Sequence, residues 1–238
     1  MSLSVLAAGS LRAIWPKLAA AWNQPVSVDF GPAGLLCERI KKGEGCDLFL
    51  SANTAHPRSL LATNRAIGSA VFTHNQLCLS VKEPLAVDKD WLALLSDPHL
   101  RLATSTPLSD PSGDYAWQLF EQIDYRYPGM GSALRQRALP LVGGPDSPVV
   151  PPGESAAGWL LNGNRADIFI GYQSYAPQAG IAVITLPPPF RIRADYAFAV
   201  CHAKARPLAD FLLSARAQKI LQQGGFLPLE EKEFKGRE

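Results

Sequence analysis

Residues 26–52, VSVDFGPAGLLCERIKKGEGCDLFLSA, decide the fold because they contain one complete strand–helix–strand unit. Val26–Phe30 alternate apolar and polar side chains, which predicts a strand with one buried face. The small residues Gly31–Gly34 form a turn before an amphipathic helix. That helix ends at Gly43, the residue type most often found just after a helix. The apolar run Asp47–Ala52 predicts the next strand, so the stretch reads as two parallel strands joined by a helix.

The residues before this unit repeat the pattern. Ser4–Ala8 predict a buried strand, and Ser10 is placed to cap a helix with apolar residues at helical spacing. Pro16 lies inside that helix and predicts a bend or a restart, because its ring clashes with the carbonyl group four residues earlier. Strand, helix, strand, helix, strand is typical of a doubly wound sheet with parallel strands.

The rest of the chain continues this alternation, interrupted by a loop rich in proline and glycine at residues 143–153. We find no internal repeat. Further strands are predicted at residues 77–81, 100–104, 167–171, 181–186 and 197–200, and further helices at 57–63, 91–95, 115–123, 155–161 and 208–222.

The composition is that of a globular protein. Of the 238 residues 47% are hydrophobic and 18% are charged, and the formal net charge of +2 comes from well-mixed acidic and basic residues. This mixture gives no basic stripe for nucleic acid. Every apolar run is far shorter than the ~20 residues that span a bilayer. The first residues lack the basic segment of a signal peptide, which leaves either a cytosolic protein or an exported domain without its leader.

The four cysteines, at positions 37, 46, 78 and 201, form no C-x-x-C pair and no zinc-like cluster with histidine. We expect buried thiols, because free cysteine behaves as a small apolar residue. A bridge between Cys37 and Cys46 in an oxidising compartment stays open.

Three segments share one design, in which a strand is followed by small residues and then by a helix. They contain Gly9 and Ser10, Ala33 and Gly34, and Ser112 and Gly113. Small residues let the backbone approach a ligand. The free N–H groups of a first helical turn, together with the positive end of the helix dipole, attract an anion without lysine or arginine.

Residues of two further segments extend this candidate site. Glu154 and Ser155 precede another predicted helix, and Tyr172 follows a buried strand, from which its hydroxyl could reach the same ligand. Each feature alone has a structural explanation, since a serine before a helix is commonly only a cap. The repetition of the design in both halves of the chain favours an anion site.

Five motifs follow one another along the chain: Ala7–Leu11, Gly34–Gly43, Asp47–Asn53, Pro111–Ala116 and Phe211–Phe226. In these motifs the chain resembles the periplasmic molybdate-binding proteins of ABC transporters, a branch of the type II solute-binding proteins. The resemblance spans nearly the whole chain and implies an α/β fold of two doubly wound lobes, joined by a hinge and closing on the ligand. The first lobe would comprise residues 1–76 and 195–238, and the second residues 77–194.

Several expectations about function come from this resemblance. The ligand would be a tetrahedral oxyanion, molybdate or tungstate, bound without another cofactor or metal. The membrane permease of an ABC importer would be the partner, and the protein would be a periplasmic monomer that is not an enzyme. The implied donors are the hydroxyl of Ser10, backbone N–H groups near Ser112, Glu154 and Ser155, and the hydroxyl of Tyr172.

One position departs from the family pattern. The family has a second hydroxyl at the start of the helix after residue 32, where this chain has Ala33 and Gly34. A hydrogen bond to a charged group contributes ~1.5–3 kcal/mol, so its loss weakens oxyanion binding or marks a different ligand. A carboxylate at Glu154 would repel an anion, and we expect that side chain to point to solvent.

Three alternatives follow from this reasoning. The same scaffold can bind another small anion or an organic ligand. An enzyme is not supported, because the four histidines lie in unrelated segments and no catalytic constellation is visible. A cytosolic sensor would need a DNA-binding module, for which the chain has no room.

Overall fold

The chain forms two compact units. A computed structural model describes residues 2–175 and 178–230. The first unit takes the described residues up to Asn75 and from Ala194 onward, and the second comprises Gln76–Arg193. The unit boundaries expected from the sequence lie one residue later than these at both points where the chain passes from one unit to the other. Residues 231–238, which the sequence analysis assigned to the first lobe, lie outside the described residues.

The described helices and strands alternate along most of the chain, and three-residue 3-10 turns connect several of them. In chain order they are β1 (Leu3–Ala8), α1 (Trp15–Trp22), β2 (Val26–Gly31), α2 (Ala33–Lys41), β3 (Leu48–Ser51), α3 (Ala55–Ala62), β4 (Gly68–Lys82), α4 (Trp91–Ser96), β5 (Leu102–Ser105), α5 (Pro111–Arg126), α6 (Met130–Arg137), β6 (Leu139–Val142), α7 (Ala156–Leu161), β7 (Ile168–Tyr172), β8 (Ile181–Thr185), β9 (Arg193–Val200), α8 (Arg206–Leu213) and α9 (Ala215–Gln223).

The sheet of the first unit contains strands in the order β2-β1-β3-β9. Strand β1 is parallel to β2, with Ala8 opposite Gly31, and parallel to β3. Strand β9 returns antiparallel to β3. The carboxyl ends of β1, β2 and β3 therefore lie at one edge of the sheet, where ligands bind in folds of this kind.

The second unit has its own set of strands in the order β8-β4-β7-β5-β6. Strands β7, β5 and β6 are parallel, and β4 is antiparallel to both β7 and β8. Apolar side chains of α7, such as Leu160, pack in one buried cluster with Phe169 of β7 and Val142 of β6. The carboxyl ends of three parallel strands again meet at one edge. This architecture is the mixed α/β fold expected from the sequence.

Several local expectations need correction. Residues 208–222 do not form one helix, because the chain breaks at Ser214, whose hydroxyl oxygen accepts the N–H of Ala217 at 3.3 Å and caps α9. Ser10 lies in a separate 3-10 turn, Gly9–Leu11, and makes no capping hydrogen bond. Pro16 does restart the helix, since α1 begins at Trp15 with the proline in its first turn.

All four cysteines are free thiols. Cys37 lies 3.6 Å from the hydroxyl of Ser59. The thiol of Cys46, just before β3, donates to the carbonyl of Leu48 at 3.1 Å and lies close enough to the thiol of Cys201, just after β9, for each to shift the pKa of the other. The Cys46 neighbour shown by the structure is thus Cys201 and not Cys37. No described helix is both long and apolar enough to cross a membrane.

Candidate functional site

The first unit brings two of the three small-residue segments together. Gly9 and Ser10 follow β1, and Ala33 and Gly34 begin α2 directly after β2. Because β1 and β2 are parallel and in register, both segments lie at the same sheet edge. A Cβ atom built on Gly9 would lie 3.9 Å from the carbonyl oxygen of Gly31, in ordinary contact distance.

The start of α2 is suited to an anion. No side chain caps its first turn and that turn contains no acidic residue, whereas Arg39 and Lys41 occupy its last turn. Ala33 and Gly34 are buried. The free N–H groups of the first turn are thus the hydrogen-bond donors at this position, and the positive end of the helix dipole adds attraction for an anion. The methyl group of Ala33 adds no donor.

Ser10 is held by a residue that the sequence analysis missed. Its hydroxyl lies 2.7 Å from the hydroxyl of Tyr196 on β9. The side-chain amide of Asn75 donates to the same phenol oxygen at 3.4 Å. Tyr196 and Asn75 are both fully buried, and the tyrosine ring packs edge-on against Phe226 with centroids 5.5 Å apart. Ser10 is therefore held by a buried polar network and does not act as a helix cap.

A positive charge lies beside the same edge. The guanidinium carbon of Arg12 sits 5.5 Å from the ring centroid of Phe30, near the carboxyl end of β2. Arg12 is not among the site residues expected from the sequence, although it follows Ser10 by only two residues. A cation at this distance from an aromatic face is attracted to the ring, which fixes its position.

In the second unit, Ser112 and Gly113 lie in the first turn of α5, after β5. The hydroxyl of Ser112 is buried, and it has no hydrogen-bond partner among the described residues. A Cβ atom on Gly113 would collide with the backbone of Thr106 and Pro107, so only glycine lets the helix begin this close to the preceding loop. An unpartnered buried hydroxyl is costly, which marks Ser112 as a candidate donor.

Asp110 also belongs to this region and was missed by the sequence analysis. Its carboxylate accepts the hydroxyl of Ser105 at 2.5 Å and lies near the backbone N–H of Ser112, which favours its charged form. Burial raises the pKa of Asp110 to about 6, against the opposing effect of these two donors. The buried hydroxyl of Ser112, which has no hydrogen-bond partner among the described residues, is the donor that this position offers.

Residues Glu154 and Ser155 have local partners. The hydroxyl oxygen of Ser155 caps α7 by accepting the N–H of Gly158 at 3.0 Å, and it also accepts the side-chain amide of Gln178. The backbone N–H of Glu154 donates to the carbonyl of Pro151 at 3.1 Å, and the residue is exposed. The backbone N–H of Glu154 thus has a partner within the loop, and the hydroxyl oxygen of Ser155 serves as a helix cap.

Tyr172 is the last residue of β7 and is buried. Its ring packs edge-on against Tyr115 of α5, with centroids 6.4 Å apart. In the register of the sheet it lies opposite Leu77 of β4. The second unit therefore places Tyr172 and the start of α5 at the same edge, that of the carboxyl ends of β5 and β7.

The donors described above are almost all uncharged, and no group of three or more His, Cys, Asp and Glu side chains able to hold a metal ion occurs in the described part of the chain. Hydroxyl and N–H groups of this kind bind an anion by replacing its water shell. They offer no nucleophile paired with a base.

Three comparisons place the chain among known proteins. An uncharacterized protein of Pasteurella multocida is 46% identical over 237 residues, covering 95% of this chain and 98% of that protein. The periplasmic molybdate-binding protein of Azotobacter vinelandii has a TM-score of 0.76 at 17% identity, with 96% of this chain and 100% of that chain covered. The sulfate-binding protein SubI of Mycobacterium tuberculosis has a TM-score of 0.77 at 17% identity, with 99% and 90% covered.

The two solved structures support the fold alone, because their sequence identity to this chain is low. The family assignment comes from a sequence model that matches residues 3–227, nearly the whole chain. The protein therefore belongs to the family of bacterial extracellular solute-binding proteins.

Proposed function

We propose that this protein captures a small oxyanion of the molybdate or tungstate type in the periplasm and delivers it to the membrane permease of an ABC importer. The observation that carries the proposal is the set of uncharged donors at the strand ends of the first unit. These donors are the hydroxyl of Ser10 and the uncapped first turn of α2. The family assignment supports transport and not catalysis.

The choice of ligand rests on chemistry. Molybdate, tungstate and sulfate are compact dianions whose oxygens only accept hydrogen bonds, so they match a site made of donors. Proteins with this fold bind molybdate in Azotobacter vinelandii and sulfate in Mycobacterium tuberculosis. Neutral donors bind such an anion without a counter-charge when they are held in place before it arrives.

Isothermal titration calorimetry tests the proposal. Purified protein, freed of bound ligand by unfolding and refolding, is titrated with molybdate, tungstate, sulfate and phosphate. We expect saturable binding of molybdate or tungstate, and about a ten- to hundredfold weaker affinity in Ser10→Ala, the loss associated with one hydrogen bond to a charged group. The absence of binding to all four anions would contradict the proposal.

A second ligand class is favoured by two observations in the chain. Ala33 lacks the hydroxyl that the resemblance implies, and the buried carboxyl of Asp110 lies beside Ser112. A carboxylate repels a full dianion but accepts a hydrogen bond from a ligand that carries a proton, such as hydrogen phosphate or an organic phosphate. Preferred binding of phosphate, lost in Asp110→Asn, would favour this class. An unchanged or improved affinity for molybdate in Asp110→Asn would favour the first.

A further inference from the structure

We infer that Asn75 and Tyr196 set the direction of the Ser10 hydroxyl, so that Ser10 presents its proton to the ligand and binds only a ligand oxygen that carries none. This inference rests on the proposed function and adds two positioning residues to it. The hydrogen-bond chain runs from the amide of Asn75 to the phenol of Tyr196 and on to the hydroxyl of Ser10.

The direction of the chain follows from its first member. The Nδ2 group of Asn75 has hydrogens and no acceptor lone pair, so its contact of 3.4 Å with Tyr196 makes the phenol oxygen an acceptor. In the 2.7 Å contact between the two hydroxyls, we assign the donor role to the phenol, because it is the more acidic hydroxyl and its oxygen already accepts from Asn75. Once its oxygen has accepted that proton, the serine hydroxyl is directed outward as a donor.

Burial makes this arrangement rigid. Asn75 and Tyr196 are fully buried, and Ser10 is 7% exposed. The phenol ring is fixed by edge-on contacts with Phe72 and Phe226, at centroid distances of 6.3 and 5.5 Å. A hydroxyl that is oriented before the ligand arrives loses less freedom on binding. A serine on an unsupported turn would rotate and would accept hydrogen bonds as readily as donate them.

Tyr196 lies on β9 and Asn75 on β4. The position of the Asn75 amide relative to the phenol therefore depends on how the backbone of β4 is held. Residues Thr73 and His74, which precede Asn75, are bound to the carbonyl of Leu227 at 3.1 Å each, through the Thr73 hydroxyl and the His74 backbone N–H. This anchoring limits how far the Asn75 amide can move from the phenol. Its two neighbours thus help to hold the amide in position.

A double-mutant cycle tests the inference with molybdate and sulfate as probes. Tyr196→Phe should weaken binding by about three- to tenfold, the effect of one lost neutral hydrogen bond. Asn75→Asp replaces the donor by an acceptor, reverses the chain and should weaken binding at least as much as Ser10→Ala. In the Ser10→Ala background both substitutions should have almost no further effect, because the hydroxyl that they orient is gone.

Matched controls separate orientation from charge and folding. Tyr125→Phe removes an exposed phenol, and Asn64→Asp adds a negative charge at an exposed position of the first unit; both should leave affinity unchanged. If Tyr196→Phe melts like the wild-type protein and binds equally well while Ser10→Ala binds weakly, the inference is wrong and the proposed function stands. Additive losses in the cycle would also overturn it. If the wild-type protein binds neither molybdate nor sulfate, both the inference and the proposed function are contradicted.

Discussion

At the scale of single residues, Asp110 gives the protein a defined pH response. Burial raises its pKa to about 6 from the ordinary value of 3.8, so between these values the folded protein keeps a proton that the unfolded chain has released. The folded state then binds more protons, and the free energy of unfolding must fall as the pH rises through this window. A shift of this size corresponds to about 3 kcal/mol.

Asp110→Asn tests this response, because asparagine keeps the shape and an acceptor for Ser105 without the charge. We expect the stability of the variant relative to wild type to rise by up to about 3 kcal/mol between pH 4 and pH 7. Urea unfolding at several pH values measures it. Glu83→Gln, which removes an exposed carboxyl of the same unit, is the control. Parallel pH profiles for wild type and Asp110→Asn would contradict the assignment.

The thiols also differ from one another. Burial raises the pKa of Cys78 to about 12, whereas the hydrogen bond from Cys46 lowers the pKa of Cys201. The thiolate is the reactive form, and Cys201 is half-buried while Cys78 is fully buried. Iodoacetamide at pH 8 should therefore label Cys201 well before Cys78, as mass spectrometry of tryptic peptides would show.

Cys46→Ser gives the internal control, since a serine hydroxyl keeps a donor for the Cys201 thiolate. Cys46→Ala removes it and should slow the labelling of Cys201. Equal labelling of Cys201 and Cys78 in the native protein would contradict the prediction.

At the scale of elements, the break at Ser214 offers a test of helix capping. Its hydroxyl oxygen caps α9 through the N–H of Ala217 and its proton goes to the carbonyl of Phe211 at 2.6 Å. Ser214→Ala should lower the free energy of unfolding by about 1 kcal/mol, whereas Ser214→Asp should retain most of the cap. Ser96→Ala, at the exposed end of α4, should change stability by less than about 0.5 kcal/mol. Chemical denaturation of the three variants decides between these outcomes.

The same break shows what the sequence could and could not predict. The periodic apolar residues of β1, α2 and β3 identify these elements, because their patterns are decided locally. The patterns of α8 and α9 continue across Ser214, so the sequence predicted one helix. Strand β6 and helix α6 were missed, since β6 contains Pro140 and is largely exposed and α6 buries only Gly131 and Leu134.

The residues of the candidate site likewise include some that the sequence could predict and some that it could not. Ser10, Ala33 and Ser112 could be found from the sequence because strand ends and helix starts are local patterns. Asn75 and Tyr196 could not, because they lie on strands whose polar residues are bound by partners far along the chain, at separations of 121 and 186 residues. The signal that was available is a polar residue shortly before an apolar run, as at Asn75 before the run that begins at Leu77.

At the scale of the whole molecule, ligand binding should raise the free energy of unfolding. A ligand that binds only the folded state at a hundred times its dissociation constant stabilises that state by about 2.7 kcal/mol. For a chain of this length each kcal/mol corresponds to about 2–4 °C in the unfolding temperature. Molybdate at that concentration should thus raise the midpoint by about 5–11 °C if the whole chain unfolds cooperatively.

The two compact units make this a test of cooperativity as well as of binding. Calorimetry of the wild-type protein without ligand first shows whether one or two transitions occur, since units of this kind can unfold separately. Molybdate should then shift the transition of any unit that supplies donors. Ser10→Ala should remove most of the shift for the first unit and Ser112→Ala that for the second, and sodium chloride of equal ionic strength should shift neither. A shift that survives both substitutions would mean that the anion is bound by other residues than those at the strand ends.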